Sequence, residues 1–144
     1  MWFRVDDKFP DHPKSQGLSE AALAVWLTAG CYCGEYETDG RIPRTVAYRL
    51  AARFDPQSGL FEDEPPVIAQ LCTVPDGFRY GLWERTNDGY LMHEFLQRNP
   101  SRRALEKERK RKRLYRKQAS VGGRKPLAAR VSAVRTERGR SPDV

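Results

Sequence analysis

The densest group of chemically active side chains in this sequence is a run of cations near its carboxyl end. Eight of the eleven residues 107–117 are Lys or Arg. Their ammonium and guanidinium groups are positively charged hydrogen-bond donors, so the expected counterpart is a polyanion, and nucleic acid is the first candidate. With two cations that precede the run, the predicted phosphate-binding residues here are Arg102, Arg103, Lys107, Arg109, Lys110, Arg111, Lys112, Arg113, Arg116 and Lys117.

A second, sparser set of arginines lies within the first hundred residues. Two of them recur at a helical spacing of four, Arg49 and Arg53, on a helix predicted to begin at Pro43. An electropositive surface for DNA and the solvated face of a surface helix both explain this set, and the sequence leaves both open. The set is Arg41, Arg44, Arg49, Arg53 and, on a predicted hairpin strand, Arg85.

Residues suited to catalysis are few. The chain has two histidines, His12 and His93. His93 and Glu94 could do acid–base chemistry together, but neighbours on a strand face opposite sides of the sheet. A hydrogen-bonded structural role is therefore predicted for both histidines. The sequence has no GxxxxGK[ST] phosphate loop. These patterns predict a protein that is not an enzyme and takes no cofactor.

The three cysteines do not have the spacing of a zinc site. Cys31 and Cys33 stand two apart on a predicted helix, so their side chains diverge, and Cys72 has no paired cysteine. An odd number of cysteines without framework spacing is typical of a compartment that keeps thiols reduced. The pattern favours small buried thiols over a metal centre built with His93.

Charge and aromatic content divide the chain near residue 100. Residues 1–100 hold ten Lys and Arg against fifteen Asp and Glu, a net charge of −5, whereas residues 101–144 hold sixteen against four, a net charge of +12. All the Trp and Phe and five of the six Tyr lie in the first part. Because the second part has too little apolar surface to offset ordering entropy, we predict one folded domain at 1–100, a basic helix at 101–119 and a disordered basic tail at 120–144.

Local patterns place the elements within the domain. Ser19 is a plausible helix N-cap, Asp88-Gly89 is a hairpin signal, and Asn99-Pro100-Ser101 offers a cap for the last helix. The first predicted elements are a strand at 2–5 and three helices, one at 18–33, one that begins at Pro43 and one at 65–72. They are followed by hairpin strands at 81–86 and 90–95 and by a basic helix at 102–118.

This order predicts a mainly α, α+β fold: a winged helix-turn-helix domain with three helices and a β-hairpin wing, then the basic helix and the tail. The amino terminus lacks the charged and apolar regions of a signal peptide, and no apolar run reaches the length of a membrane span. We therefore expect a cytoplasmic protein that does not bind membranes.

Eight short phrases between residues 2 and 118 add a resemblance to this pattern. They are Trp2-Phe3-Arg4-Val5-Asp6-Asp7, His12-Pro13-Lys14, Thr38-Asp39-Gly40, Ile42-Pro43, Gly81-Leu82-Trp83-Glu84, Asp88-Gly89-Tyr90, His93-Glu94-Phe95 and Asn99-Pro100-Ser101. In this order they resemble a family of actinobacterial-phage replication proteins described as DnaD-like or helix-turn-helix DNA-binding. The resemblance implies a winged-helix domain, a part in starting phage or prophage DNA replication, and a replication partner such as a helicase. It also implies that the protein acts without catalysis, at the nucleoid of the host cytoplasm.

Two features depart from that family. Residues 55–80 are longer and more acidic than a compact third helix requires, and we expect no second folded domain after the basic helix. The third helix of most winged-helix proteins enters the major groove, but residues 65–72 offer only Gln70 among base-reading side chains. Carboxylates at 62–64 would repel phosphates, so the sequence predicts little base-specific readout.

The leading hypothesis is a DNA-binding protein that contacts phosphates without sequence specificity. A protein-interaction adaptor, with an acidic domain that binds a replication or transcription partner, is the alternative from a different class. RNA binding also stays open, although the aromatic and basic sheet pattern common in RNA-binding domains is missing. Nothing in the sequence indicates an oligomeric state.

Overall fold

A computed structural model describes residues 2–57 and 63–122 of the chain. The chain divides into two units, residues 1–104 and 105–144, and each is treated by itself. The described part is α+β, with several helices and one three-stranded antiparallel sheet, which confirms the α+β class of the predicted fold. Among the described residues, no helix is both long and apolar enough to cross a membrane.

Helix α1 spans Glu20–Glu35 and forms the centre of the first unit. Ser19 begins it as predicted, since its hydroxyl accepts a hydrogen bond from the Ala22 amide at 3.2 Å. The helix runs one residue past Gly34, where the sequence predicted its end. Its buried residues pack against the two helices that follow it, at Arg44–Phe54 and Pro66–Cys72, as expected for a helix that is apolar nearly all round. These residues are Ala22, Val25, Trp26, Ala29, Gly30, Cys33 and Gly34.

A short strand that the sequence did not predict, β1, spans Arg41–Pro43 and leads directly into helix α2, Arg44–Phe54. The predicted stripe of Val46, Leu50 and Phe54 is only partly correct. Leu50 is buried, but Val46 and Phe54 are half-buried, and the tightest face of α2 consists of alanines. Small side chains allow α1 and α2 to approach closely.

Helix α3, Pro66–Cys72, and the hairpin of β2, Trp83–Arg85, and β3, Gly89–Met92, confirm two predictions. The sheet order is β1–β3–β2, so β3 pairs with both other strands. Gly89 faces Pro43 across the β1 pair, and a Cβ there would overlap the Ile42 carbonyl. Glycine at this position is therefore what lets β1 join the hairpin.

The predicted strand at residues 2–5 is wrong, since this segment pairs with no strand. It is held by its side chains instead. Phe3 packs edge-on to Trp26, with ring centroids 5.3 Å apart, and stacks on Phe95 at 6.1 Å. Gly30 of α1 provides the space, because a Cβ there would overlap the Phe3 ring. Of the aromatic and β-branched residues in this segment, Phe3 packs against the core, whereas Trp2 and Val5 are exposed.

Two helices follow the hairpin. The predicted second hairpin strand stops at Met92, and residues 95–98 form a short helix, α4, Phe95–Arg98, that the sequence did not predict. Helix α5 then spans Arg102–Gly122, with the Ser101 hydroxyl accepting from the Ala104 amide at 3.2 Å. It extends past residue 118, so residues 120–122 are helical and not disordered as predicted. The rest of the predicted disordered tail, 123–144, lies outside the described residues.

The packing of Phe3 predicts that the amino-terminal segment contributes to stability. Phe3→Ala should lower the free energy of unfolding by about 2 kcal/mol, less than for a fully buried Phe because the ring is half-buried. Urea denaturation of the full chain measures this change.

The matched control is Trp2→Ala, because Trp2 is 90% exposed. It should change the free energy of unfolding by less than about 0.5 kcal/mol. Equal losses from the two substitutions would contradict the packing role of Phe3.

Candidate nucleic-acid interface

The cations of helix α5 project around most of its circumference. The helix has 21 residues and is therefore about 31 Å long. At 100° per residue, Lys107 and Arg111 lie nearly opposite Arg109 and Arg116. The ten predicted phosphate-binding residues of this helix are all exposed, so the positive surface can meet a polyanion from several sides.

Two ion pairs along α5 offset part of its self-repulsion. Lys110 lies 3.0 Å from Glu106 and Lys112 lies 2.9 Å from Glu108, both one helical turn apart. The hydrogen bond from Lys112 lowers the pKa of the Glu108 carboxyl, so the pair stays ionised. Pairs of this kind with Glu on the amino-terminal side stabilise a helix modestly.

The apolar residues of α5 do not form a continuous stripe. Leu114 and Tyr115 are 62% and 74% exposed, and they are neighbours in sequence, so they point about 100° apart. An amphipathic helix that lies on a membrane needs a continuous apolar face. The exposed surface of α5 is therefore suited to charged partners.

The arginine set of the first unit does not form one face. Arg49 and Arg53 lie one turn apart on the exposed side of α2, whereas Arg44 points at least 140° away from both. The Arg44 guanidinium instead donates to the Asn87 carbonyl in the hairpin turn at 3.4 Å. Arg41 is exposed on β1. The single electropositive surface that the sequence suggested is thus split in two.

Arg85 carries a neutralising partner. Its guanidinium Nε lies 2.9 Å from Glu64 Oε1, and the Tyr90 hydroxyl donates to the same oxygen at 2.9 Å. The hydrogen bond from Arg85 is the main reason why the pKa of Glu64 is lowered. Burial, followed by the hydrogen bond to Glu64, raises the pKa of Tyr90, so this phenol remains a donor. A carboxylate next to Arg85 weakens its attraction for phosphate.

Helix α3 presents few side chains that could hydrogen-bond to the edge of a DNA base. Val67, Ile68 and Leu71 are buried, and the side chain of Gln70 accepts a hydrogen bond from the Ser19 amide at 2.9 Å. Gln70 thus helps to hold the start of α1. The acidic residues 63 and 64 lie next to this helix in the sequence, and Glu62 lies outside the described residues.

His93 and Glu94 do not lie on a strand, so the prediction that they face opposite sides is wrong. They form the turn after β3, where His93 Nδ1 lies 2.8 Å from Glu84 Oε1 and its Nε2 lies 3.5 Å from Glu94 Oε1. His12 Nδ1 accepts from the Lys14 amide at 3.1 Å. Both histidines therefore make local hydrogen bonds or ion pairs.

The cysteines differ from one another in exposure. Cys33 and Cys72 are buried, and burial raises the pKa of the Cys72 thiol to about 11, which keeps it protonated. Cys31 is exposed, which corrects the prediction of a buried thiol there. In residues 2–57 and 63–122, no group of three or more His, Cys, Asp or Glu is arranged to hold a metal ion.

Comparison of the chain with protein-family models, with curated proteins and with solved structures finds no match.

The contacts of Glu64 predict an acid-sensitive contribution to stability. Glu64→Gln should lower the free energy of unfolding at pH 7 by about 1 kcal/mol, since it removes a charged hydrogen-bond acceptor from a partly exposed pair. Because the folded pKa lies below the ordinary 4.5, the contribution is present above pH 4.5 and lost as pH falls through the folded pKa. Chemical denaturation between pH 7 and pH 3 measures the difference between the variant and the wild type.

Asp76→Asn, at an exposed loop position, is the control and should follow the wild type at each pH. A difference between Glu64→Gln and the wild type that stays constant down to pH 3 would contradict the assigned role.

Proposed function

We propose that this protein is a non-enzymatic DNA-binding protein that contacts phosphates mainly through helix α5. The observation that carries the proposal is the exposure of ten Lys and Arg side chains along one helix of about 31 Å. Ammonium and guanidinium groups that meet phosphates release condensed counterions, and this release dominates nonspecific affinity. Two acidic residues of the same helix, Glu106 and Glu108, offset only a small part of its charge.

Binding of this kind is blind to base sequence. Sequence is read by side-chain donors and acceptors that reach base edges, usually from one element seated in a groove. The cations of α5 point in many directions, and α3 supplies only Gln70, which is already engaged with Ser19. The proposed function is therefore positioning on DNA and not recognition of an operator.

We further propose that the first unit is a winged helix. The supporting observations are the element order α1–β1–α2–α3–β2–β3 and the pairing of β1 with β3 beside the hairpin. Together with the resemblance of the sequence phrases to phage replication proteins, this supports a role as a replication initiation or accessory factor. A helicase or another replication protein would be the partner of the acidic unit.

A second candidate function, an adaptor that binds a protein through the first unit, is favoured by one observation. Arg85 is paired with Glu64 and Arg44 is engaged with the hairpin turn, so the net charge of −5 in residues 1–100 is not balanced by a concentrated positive surface. In this reading α5 provides loose attachment to nucleic acid only.

Anisotropy of a labelled duplex at 50–200 mM salt tests the proposal on the full chain. Arg113→Gln, Arg116→Gln and Lys117→Gln together should weaken binding and reduce the slope of log affinity against log salt by about 2 to 3, at roughly 0.9 per phosphate contact. A single-stranded RNA of equal length provides the comparison for RNA binding.

The matched control removes three charges from the first unit: Arg41→Gln, Arg44→Gln and Arg49→Gln. It should leave the salt slope unchanged. An equal loss in both triple variants would mean that the first unit contacts phosphates as much as α5 does, which contradicts an interface mainly on α5. Tighter binding of RNA would favour the RNA-binding alternative, and a wild-type chain that binds neither polymer at 50 mM salt would refute the proposal.

A further inference from the structure

A cavity of about 220 Å³ lies between the amino-terminal segment, helix α1 and helix α4. It belongs to the first unit and plays no part in the proposed DNA contacts. For comparison, an apolar cavity of about 150 Å³ in a protein core is large enough to bind benzene. The space therefore suits a ligand with one aromatic ring.

Aromatic side chains form much of the cavity lining. Phe9 stacks on Trp26 with centroids 4.1 Å apart and planes 9° from parallel, and Phe3 meets the same indole edge-on. Phe95 also contributes to the lining. A flat apolar group placed here gains hydrophobic burial and ring contacts from several sides.

The cavity also contains a buried cation, Lys14, whose side chain is only 6% exposed. Its ammonium group lies 3.6 Å from a Glu94 carboxylate oxygen and 5.5 Å from the Phe78 ring centroid. A buried ammonium carries three donors and is costly to leave without hydrogen bonds. The Glu94 oxygen at 3.6 Å can engage at most one of these three donors. Lys14 thus has capacity for an anionic ligand.

The charge of the lining favours an anion as well. Four cations, Arg4, Lys8, Lys14 and Arg98, line the cavity against two carboxylates, Asp6 and Glu94. This net positive lining stands within a domain whose overall charge is negative. Arg98 is already paired with Asp6, and the one buried ammonium is that of Lys14, so the site matches a single negative charge better than a doubly charged phosphate.

The partner of Lys14 is held in an unusual backbone conformation. Glu94 has φ 61°, in the left-handed region that non-glycine residues rarely adopt. Its carboxylate lies between Lys14 and His93, at 3.6 Å and 3.5 Å. A ligand carboxylate would compete with Glu94 for the Lys14 ammonium.

From the cavity, its aromatic walls and the buried ammonium, we propose that this protein binds a small carboxylate with a single aromatic ring. The ring occupies the space beside Trp26, and the carboxylate pairs with Lys14. This site is independent of the nucleic-acid interface.

Titration of the full chain with phenylacetate tests the site without nucleic acid. Two-dimensional NMR resolves one indole N–H signal for each of the three tryptophans, and only that of Trp26, the one tryptophan in the cavity lining, should shift strongly. The uncharged isostere phenylacetamide should bind about tenfold more weakly or worse, because it forms no charged hydrogen bond. Phenyl phosphate should bind no more tightly than phenylacetate.

Lys14→Met should weaken phenylacetate binding about tenfold or more and leave phenylacetamide unaffected. Arg79→Met removes an equal charge from an exposed position outside the cavity lining and should not change either affinity. Glu94→Gln keeps Lys14 and removes its competing carboxylate, so this variant should bind phenylacetate more tightly; it tests the site even if Lys14→Met fails to fold.

Three results would overturn the proposal. The first is no shift of the Trp26 signal at about 10 mM phenylacetate, which would mean that the dissociation constant is far above 10 mM. The second is equal binding of phenylacetate, phenylacetamide and benzylamine, and the third is a preference for phenyl phosphate.

Discussion

The close approach of β1 to β3 is the constraint on which the first unit depends. Gly89 lies opposite Pro43, and only a residue without a side chain allows the Ile42 backbone to come this near. Through this contact the segment between α1 and α2 joins the hairpin, and the helices and the sheet enclose one core around Trp83 and Ile42. The same strand, β3, carries Tyr90, whose hydroxyl reaches Glu64 ahead of α3. Strand β3 therefore connects the other two strands and the residue that precedes α3.

Charge is distributed in this protein according to packing. The acidic residues lie mostly in the unit with a core, where several are engaged in specific pairs such as Glu64 with Arg85 and Asp6 with Arg98. Ten of the 26 Lys and Arg lie on α5, where two ion pairs with Glu106 and Glu108 partly relieve repulsion between them. A helix of this composition owes little to apolar packing. Its helical form depends on local capping and ion pairs, and bound phosphates would add to them.

The short amino-terminal segment is fixed to the core and forms part of the cavity. Phe3 fills the space above Gly30, and the Arg4 amide donates to Asn99 Oδ1 at 3.0 Å, so the segment is fixed at both a ring and a backbone group. Asn99 in turn donates to the Phe95 carbonyl at 3.1 Å. The segment thereby becomes one wall of the cavity that contains Lys14. A stretch of chain without regular secondary structure thus determines the shape of a candidate ligand site.

Local sequence patterns determined the capped start of α1, helix α3, the hairpin and the exposed cations of α5, because each depends on residues within a few positions of one another. Only the tertiary structure decided the rest. β1 forms because β3, about fifty residues later, offers it a partner, and Arg85 is neutralised by Glu64, 21 residues away. The division of the arginine set is different, since the helical period of α2 already places Arg44 at least 140° from Arg49 and Arg53, and the tertiary structure added only its bond to the Asn87 carbonyl. Contacts between distant residues leave no periodic signal in a single sequence, and these contacts built both the sheet and the cavity.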